Sequence, residues 1–176
     1  MVVVAISGIL AAVVAPSLVS VIESNRRSTI SNQLMEDLVF ARRQAIALSS
    51  SVALCGSDST TGNTCIAKGT SSADWSNGWY TYIGSSNKLT PASAAAGLVL
   101  RSPQALPSGW KVDAYLSSPG NFVYLDARSE TNKYGHFTIY RSGSASGTTA
   151  CVTIDDVGRA RAWTSTSSKT DPCSLN

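Results

Sequence analysis

The first 22 residues carry no charged side chain, and this apolar segment restricts how the chain can fold and where it can reside. Met1–Ile22 has the sequence MVVVAISGILAAVVAPSLVSVI, and Glu23 follows as the first charged residue. A helix of about 20 residues crosses the hydrocarbon core of a bilayer, so the length suits a transmembrane span. A cleaved signal peptide is the competing interpretation, but the basic region that opens such peptides is missing. Pro16, with Gly8 upstream, predicts a kink in this segment.

The helical pattern continues beyond this apolar segment. Apolar residues recur at steps of three and four, which is typical of a helix that buries one face. This stripe consists of Ile30, Leu34, Leu38, Ala41, Ala45 and Leu48. The charged residues off the stripe are Arg26, Arg27, Asp37, Arg42 and Arg43. The pattern predicts one helix from the start of the chain to about Ser49, roughly 70 Å long.

The rest of the chain is rich in Ser, Thr and Gly and is predicted to form short β-strands. Apolar and polar residues alternate from Val112 to Ser117, as in a half-buried strand. The strand candidates are Val52–Cys55, Trp79–Ile83, Gly97–Arg101, Trp110–Leu116, Phe122–Leu125, Phe137–Tyr140, Ala150–Ile154 and Arg159–Thr164. Gly56–Asp74 is predicted to be a long loop. We therefore expect an α+β fold in which antiparallel sheets pack on the amphipathic half of the helix.

Four cysteines favour two disulfides over a metal site. Cys55, Cys65, Cys151 and Cys173 include no C-x-x-C pair, and the chain has a single histidine, His136. Four cysteines allow three connectivities, of which nearest-neighbour pairing, Cys55–Cys65 with Cys151–Cys173, is one. Disulfides indicate an oxidising compartment such as the periplasm or the cell surface.

Net charge excludes a protein that binds nucleic acid through bulk charge alone. The formal net charge is +3, and from Ser51 onward ten Lys or Arg stand against eight Asp or Glu. Binders of that kind are more basic. An acidic partner would therefore have to be bound by a local patch of basic residues.

Signals for catalysis are weak, so we predict no enzyme and no cofactor. His136 belongs to no readable Ser/His/Asp arrangement and is expected at a surface or half-buried strand position. Asp155 and Asp156 suggest calcium ligands, but two adjacent acids without further oxygen donors favour a solvated turn. Trp75, Trp79 and Trp110 are expected in the core or in packed loops rather than as exposed stacking groups.

One basic motif could bind phosphate. Gly158-Arg159-Ala160-Arg161 follows a predicted turn, and the period of two in a strand sends Arg159, Arg161 and Trp163 to one face. Side chains at alternate positions lie about 6–7 Å apart, near the phosphate spacing along one DNA strand. Arginine can bind a phosphate with two hydrogen bonds. The same arginines could instead protect an edge strand from aggregation.

The N-terminal stretch MVVVAISGILAAVVAPSLVSVIESNR resembles the helix of type IV pilins and pseudopilins. In that family a prepilin peptidase cuts before a Phe that becomes methylated, and a Glu follows. This sequence starts inside the motif without these features, so we expect the natural chain to begin further upstream.

The resemblance extends to the GspH/FimT subgroup of minor pilins. The stretches FARRQAIALSSSVALC and DWSNGWYTYI are similar to its sequences, and CVTIDDVGRARAW resembles its closing hairpin. FVYLDAR resembles its F-D-G-R-G stretch, with Ala127 in place of the first glycine.

The resemblance implies a pilin-like subunit with three parts. Residues 1–22 would form the transmembrane and polymerisation half of the helix, 23–50 the amphipathic half, and 51–176 the globular domain. The chain would cross the inner membrane once, place its domain in the periplasm and enter an extracellular pilus. Its partners would be other major and minor pilins, and the inner membrane before assembly.

FimT-type pilins that bind DNA during natural transformation carry a G-R-x-R motif, which matches Gly158, Arg159 and Arg161. The resemblance therefore implies non-specific binding of double-stranded DNA in competence, and Arg141 and Lys169 are further candidates for the patch. The alternative is a structural subunit that primes or caps a pilus or a type II secretion pseudopilus without binding DNA. A surface-binding adhesin is a weaker third possibility.

Overall fold

One long helix packs against two antiparallel sheets in the computed structural model. The structure describes residues 2–58, 64–66, 72–84, 98–117, 122–128, 131, 134–143, 147–166 and 172–173, with helix side chains described from Leu18 onward. Helix α1 spans Val2–Leu48. The strands are β1 Val52–Gly56, β2 Ser72–Asp74, β3 Trp79–Ile83, β4 Val99–Arg101, β5 Trp110–Leu116, β6 Phe122–Leu125, β7 Gly135–Arg141, β8 Thr149–Ile154 and β9 Ala160–Ser165.

The strands form two sheets, and strands of the two sheets interleave along the chain. The first has four strands in the order β4-β3-β1-β6, and the second has five in the order β2-β5-β7-β8-β9. All registered pairs are antiparallel. The predicted α+β fold is therefore confirmed. Strand β9, which carries the second arginine of the motif, is the last strand of the larger sheet and, among the described residues, an edge strand.

The predicted apolar stripe of α1 forms the centre of the core. Ile30, Leu34, Leu38, Ala41 and Ala45 are buried and pack with residues from both sheets. Leu48 was predicted on the same stripe but is 46% exposed, because α1 ends there and the chain turns into β1. The three tryptophans Trp75, Trp79 and Trp110 are buried in this core, as expected.

Two charged residues off the stripe are also buried. Asp37 accepts a hydrogen bond of 2.7 Å from Nε1 of Trp79 in β3, and it forms an ion pair with Arg101 in β4. Arg101 also pairs with Glu36 at 3.2 Å and lies 4.0 Å from the ring centroid of Phe40. These contacts tie α1 to the first sheet. The second buried residue is Arg27.

One predicted loop contains a strand. Ser72–Asp74 forms β2, which pairs with β5, although Gly56–Asp74 was predicted as a loop. The composition of Ser72-Ala73-Asp74 gives little strand signal, and its conformation comes from pairing with the neighbouring strand. Residues 59–63 and 67–71 of the predicted loop lie outside the described residues.

Both disulfides join nearest neighbours. Cys55 and Cys65 are bonded with Cα atoms 5.6 Å apart, and Cys151 and Cys173 with Cα atoms 5.5 Å apart. The first bond closes the segment after β1, and the second holds the C-terminal segment against β8. Of the three connectivities that the sequence allowed, this is the nearest-neighbour one.

The predicted apolar segment Met1–Ile22 falls mostly on positions whose side chains lie outside the described set. Within the part of the chain that the structure describes, no helix has both the length and the apolar character needed to cross a membrane.

Candidate nucleic-acid interface

The β8–β9 hairpin carries the predicted motif on a tight turn. The backbone N–H of Gly158 donates to the carbonyl of Asp155 at 3.0 Å, and the N–H of Asp155 donates to the carbonyl of Arg159 at 3.1 Å. Gly158 has a φ of 71°, in the left-handed region that glycine adopts without a Cβ clash. The glycine of the motif thus closes the hairpin immediately before the arginines.

Asp155 holds Arg159 at the end of this turn. Its Oδ1 accepts the backbone N–H of Arg159 at 2.7 Å, and its Oδ2 accepts Nε of the same residue at 2.8 Å. Burial acts to raise the pKa of Asp155, but the backbone and side-chain hydrogen bonds and the charge of Arg159 hold it below its ordinary value of 3.8. The Arg159 side chain is 61% exposed. Because its contact with Asp155 uses Nε, the two terminal amino groups are the part of the guanidinium that can contact a phosphate.

Arg161 projects from β9 without such a partner. It lies opposite Thr153 of β8, and its side chain is exposed. Its guanidinium makes no hydrogen bond or ion pair with any residue that the structure describes. Ala160, on the alternate face, packs against the core as the period of two predicts. Trp163 is half-buried and lines a different cleft, beside α1.

Both arginines line one groove of about 770 Å³ on the outer face of the larger sheet. Strand register aligns four of its residues in a row across β5, β7, β8 and β9: Tyr115, His136, Thr153 and Arg161. The rings of Tyr115 and His136 are stacked, with centroids 5.0 Å apart and planes inclined by 18°. Tyr134, at another side of the groove, is 62% exposed.

The aromatic part of this groove was not predicted as part of a site. His136 was expected only at a surface or half-buried strand position, and its neighbour Tyr115 was not considered for binding. These residues are separated by about 20 to 45 positions from one another and from Arg161, and strand pairing alone brings them together. The stacked rings are half-buried, and aromatic side chains stack on the bases of single-stranded nucleic acid rather than on those of a closed duplex, so the arginines are the part of the groove suited to double-stranded DNA.

The remaining candidates do not join this groove. Arg141 lies at the far end of β7, five residues beyond His136 and therefore about 17 Å away along the strand. Its guanidinium forms an ion pair with Glu23 of α1. Lys169 lies outside the described residues. Asp155 and Asp156 do line the groove, and their charges weaken the positive field of the arginine pair.

Comparisons with known proteins agree on one family. The family model described as "Type II transport protein GspH" matches residues 31–158, which is well over half of the chain. The match ends immediately before Arg159. No protein with a curated description matches the sequence significantly.

Two solved structures share the fold. The type IV minor pilin FimU of Pseudomonas aeruginosa is 15% identical and superimposes with a TM-score of 0.56, over 79% of this chain and 89% of FimU. The minor pseudopilin EpsH from the type 2 secretion system of Vibrio cholerae is 12% identical, with a TM-score of 0.51, over 78% of this chain and 96% of EpsH. At such identities the similarity shows the fold alone. The match to the family model over most of the chain shows that the chain belongs to the GspH family.

Proposed function

We propose that this minor pilin binds double-stranded DNA non-specifically through Arg159 and Arg161 and thereby captures DNA for uptake in natural transformation. The observation that supports this most is the pair of exposed guanidiniums lining one groove, of which that of Arg161 has no partner among the described residues. Arginine contacts to phosphate position a protein on DNA without reading its sequence. The family match ends at residue 158, so the support comes from the hairpin itself.

The proposed working arrangement uses all three parts of the chain. Residues 1–22 would anchor the subunit in the inner membrane and later pack among other pilins. Residues 23–50 would connect this segment to the domain formed by 51–176. The domain would stand in the periplasm before assembly and on the pilus afterwards, with the arginine pair accessible to DNA. No catalytic step enters this function.

The test compares DNA affinity in the parent and in Arg159→Gln/Arg161→Gln. We expect the double variant to bind more weakly, and the magnitude of the slope of log affinity against log salt to fall by about 1.8 for two lost phosphate contacts. The measurement is a mobility shift or NMR titration of the purified full chain in neutral detergent, at low and moderate salt, with a DNA duplex.

Arg43→Gln/Arg128→Gln is the matched control. It removes the same charge from two exposed arginines outside the groove. If both double variants weaken binding equally, net charge rather than the hairpin governs affinity. If the parent does not bind a duplex at low salt, DNA capture is wrong.

A structural role is the second candidate, and the exposed apolar surface of α1 favours it. Leu18, Val19, Val21 and Ile22 are each more than half exposed, which is unusual for side chains that remain in water. In a subunit that primes or caps a pilus or a type II secretion pseudopilus, neighbouring helices would cover these residues. Arg161 of β9 would then serve to keep an edge strand from pairing with other chains. Loss of fibres on deletion, without any DNA affinity, would support this alternative.

A further inference from the structure

Arg27 is a buried arginine without an ionic partner. The residue is 8% exposed, and its Nε is fully buried without a hydrogen-bond partner. Among the described residues, no carboxylate forms an ion pair with it. Glu23, one helical turn earlier, pairs with Arg141 instead. A buried Nε–H without an acceptor, on a guanidinium that has no carboxylate partner among the described residues, is unfavourable, so an anion at this position would stabilise the isolated subunit.

The surroundings of Arg27 suit an anion. Arg27 lines a cleft of about 270 Å³ between α1 and the end of β9. The polar residues described around it are Ser24, Ser28, Ser31, Asn32, Trp163 and Thr164. These residues offer hydroxyl, amide and indole groups, and none of them is acidic. A guanidinium surrounded by neutral donors would bind a carboxylate with charge-assisted hydrogen bonds.

We propose that this cleft binds the carboxylate of an Asp or Glu side chain from a neighbouring pilin subunit in the assembled fibre. The exposed apolar residues Leu18, Val19, Val21 and Ile22 immediately precede the cleft on α1. Pilin subunits assemble through their N-terminal helices, so a neighbouring helix that covers these residues lies within reach of Arg27. The proposal rests on membership of the pilin family and not on DNA binding.

The geometry favours a side chain over DNA as the source of the anion. Arg27 lines a small cleft, and a phosphate on a stiff duplex backbone cannot enter it. A carboxylate on two or three rotatable bonds can. The cleft is also separate from the groove that Arg159 and Arg161 line, with which it shares no lining residue.

The first test probes the cleft with small anions. NMR signals of arginine Nε–Hε groups would be followed in the full chain in detergent, during titration with sodium acetate, sodium phosphate or sodium chloride at equal ionic strength. We expect acetate to shift the Arg27 signal saturably, and chloride to leave it unchanged. The response should persist in Arg26→Gln, which removes the exposed neighbouring arginine. A response to phosphate alone, or none beyond chloride, would overturn the assignment to a carboxylate.

The second test measures assembly. We expect Arg27→Gln to reduce the amount of tagged subunit in sheared fibres at least tenfold, while Arg26→Gln assembles normally. The urea midpoint of the isolated Arg27→Gln subunit should be unchanged or raised, since an unpaired buried charge is removed. If the role of Arg27 were purely structural, the Arg27→Gln change would instead lower that midpoint. Normal assembly of Arg27→Gln, or a lowered midpoint that accounts for its absence from fibres, would overturn the proposal.

Discussion

At the scale of single residues, the hairpin turn depends on Asp155 more than on the arginines that it presents. Its two carboxylate oxygens bind the backbone and the Nε of Arg159, four residues later. The sequence predicted a solvated turn here, but not that one of its acids orients an arginine of the motif. The acid therefore has two opposing effects on DNA binding: it orders Arg159, and it reduces the local positive charge.

Asp155 predicts a pH dependence of stability. Its pKa is lowered in the folded chain from its ordinary value of 3.8, so its contribution is present above about pH 4 and is lost as the pH falls through the lower folded pKa. Thermal unfolding midpoints measured from pH 6 down to pH 2.5 should therefore show the parent above Asp155→Asn at neutral pH, and the two converging at low pH. Asp156→Asn, which removes the adjacent exposed charge, is the control. A parent–Asp155→Asn difference that stays constant with pH would contradict the prediction.

At the scale of elements, one buried acid joins α1 to the first sheet. Asp37 receives hydrogen bonds from Trp79 in β3 and from Arg101 in β4, so three elements meet at one carboxylate. Trp79 is 4% exposed, and its indole N–H has no access to water if this acceptor is removed. The contacts of Asp37, together with the apolar stripe, fix which side of α1 faces the sheet.

Replacing this acid should therefore destabilise the fold. We expect Asp37→Ala to lower the free energy of unfolding by about 2–4 kcal/mol, because it leaves the buried indole N–H of Trp79 without an acceptor and removes the buried one of the two carboxylates that pair with Arg101. Asp37→Asn retains an acceptor for Trp79 and should cost less. Glu36→Ala, which removes the 70% exposed partner of Arg101, should cost less than about 1 kcal/mol. Urea unfolding monitored by tryptophan fluorescence measures all three. Equal losses for Asp37→Ala and Glu36→Ala would refute the argument.

At the scale of the whole molecule, the helix has two parts with different partners. The apolar stripe from Ile30 to Ala45 packs in the core of the domain, whereas Leu18, Val19, Val21 and Ile22 are exposed. This division supports a boundary near Glu23, which is where we propose that the polymerisation half ends. The domain would then be stable without the apolar half of the helix, whereas association with other subunits would depend on that half.

A chain beginning at Glu23 should be monomeric and fully folded in detergent-free buffer. It keeps the Glu23–Arg141 ion pair and every described core residue of α1. A chain beginning at Gln33 loses Ile30 and should be less stable by about 2–4 kcal/mol, because a cavity remains in the core. Light scattering gives the oligomeric state, and urea unfolding compares the two chains. Oligomers of the longer fragment would place an association surface within residues 23–176.

The sequence by itself determined the features that depend on near neighbours along the chain. Periodicity of apolar residues predicted α1 and its buried stripe, and alternation predicted β5, but Trp163, which alternation assigned to the face of the arginines, lines the cleft beside α1. Turn residues and composition predicted most strands to within one or two residues. Helices and strands repeat their side-chain directions every few residues, so a short stretch of sequence is enough to predict these features. The resemblance to GspH/FimT pilins rested on the same local stretches.

Only the tertiary structure decided which distant residues meet. Strand register aligned Tyr115, His136 and Thr153 with Arg161, and it placed Arg141 at the other end of β7. The packing of two sheets around α1 buried Arg27 and Asp37, which lie off its apolar stripe, and pairing with β5 made β2 a strand. Such contacts join residues tens of positions apart, and a shift of one residue in register would send each side chain to the opposite face.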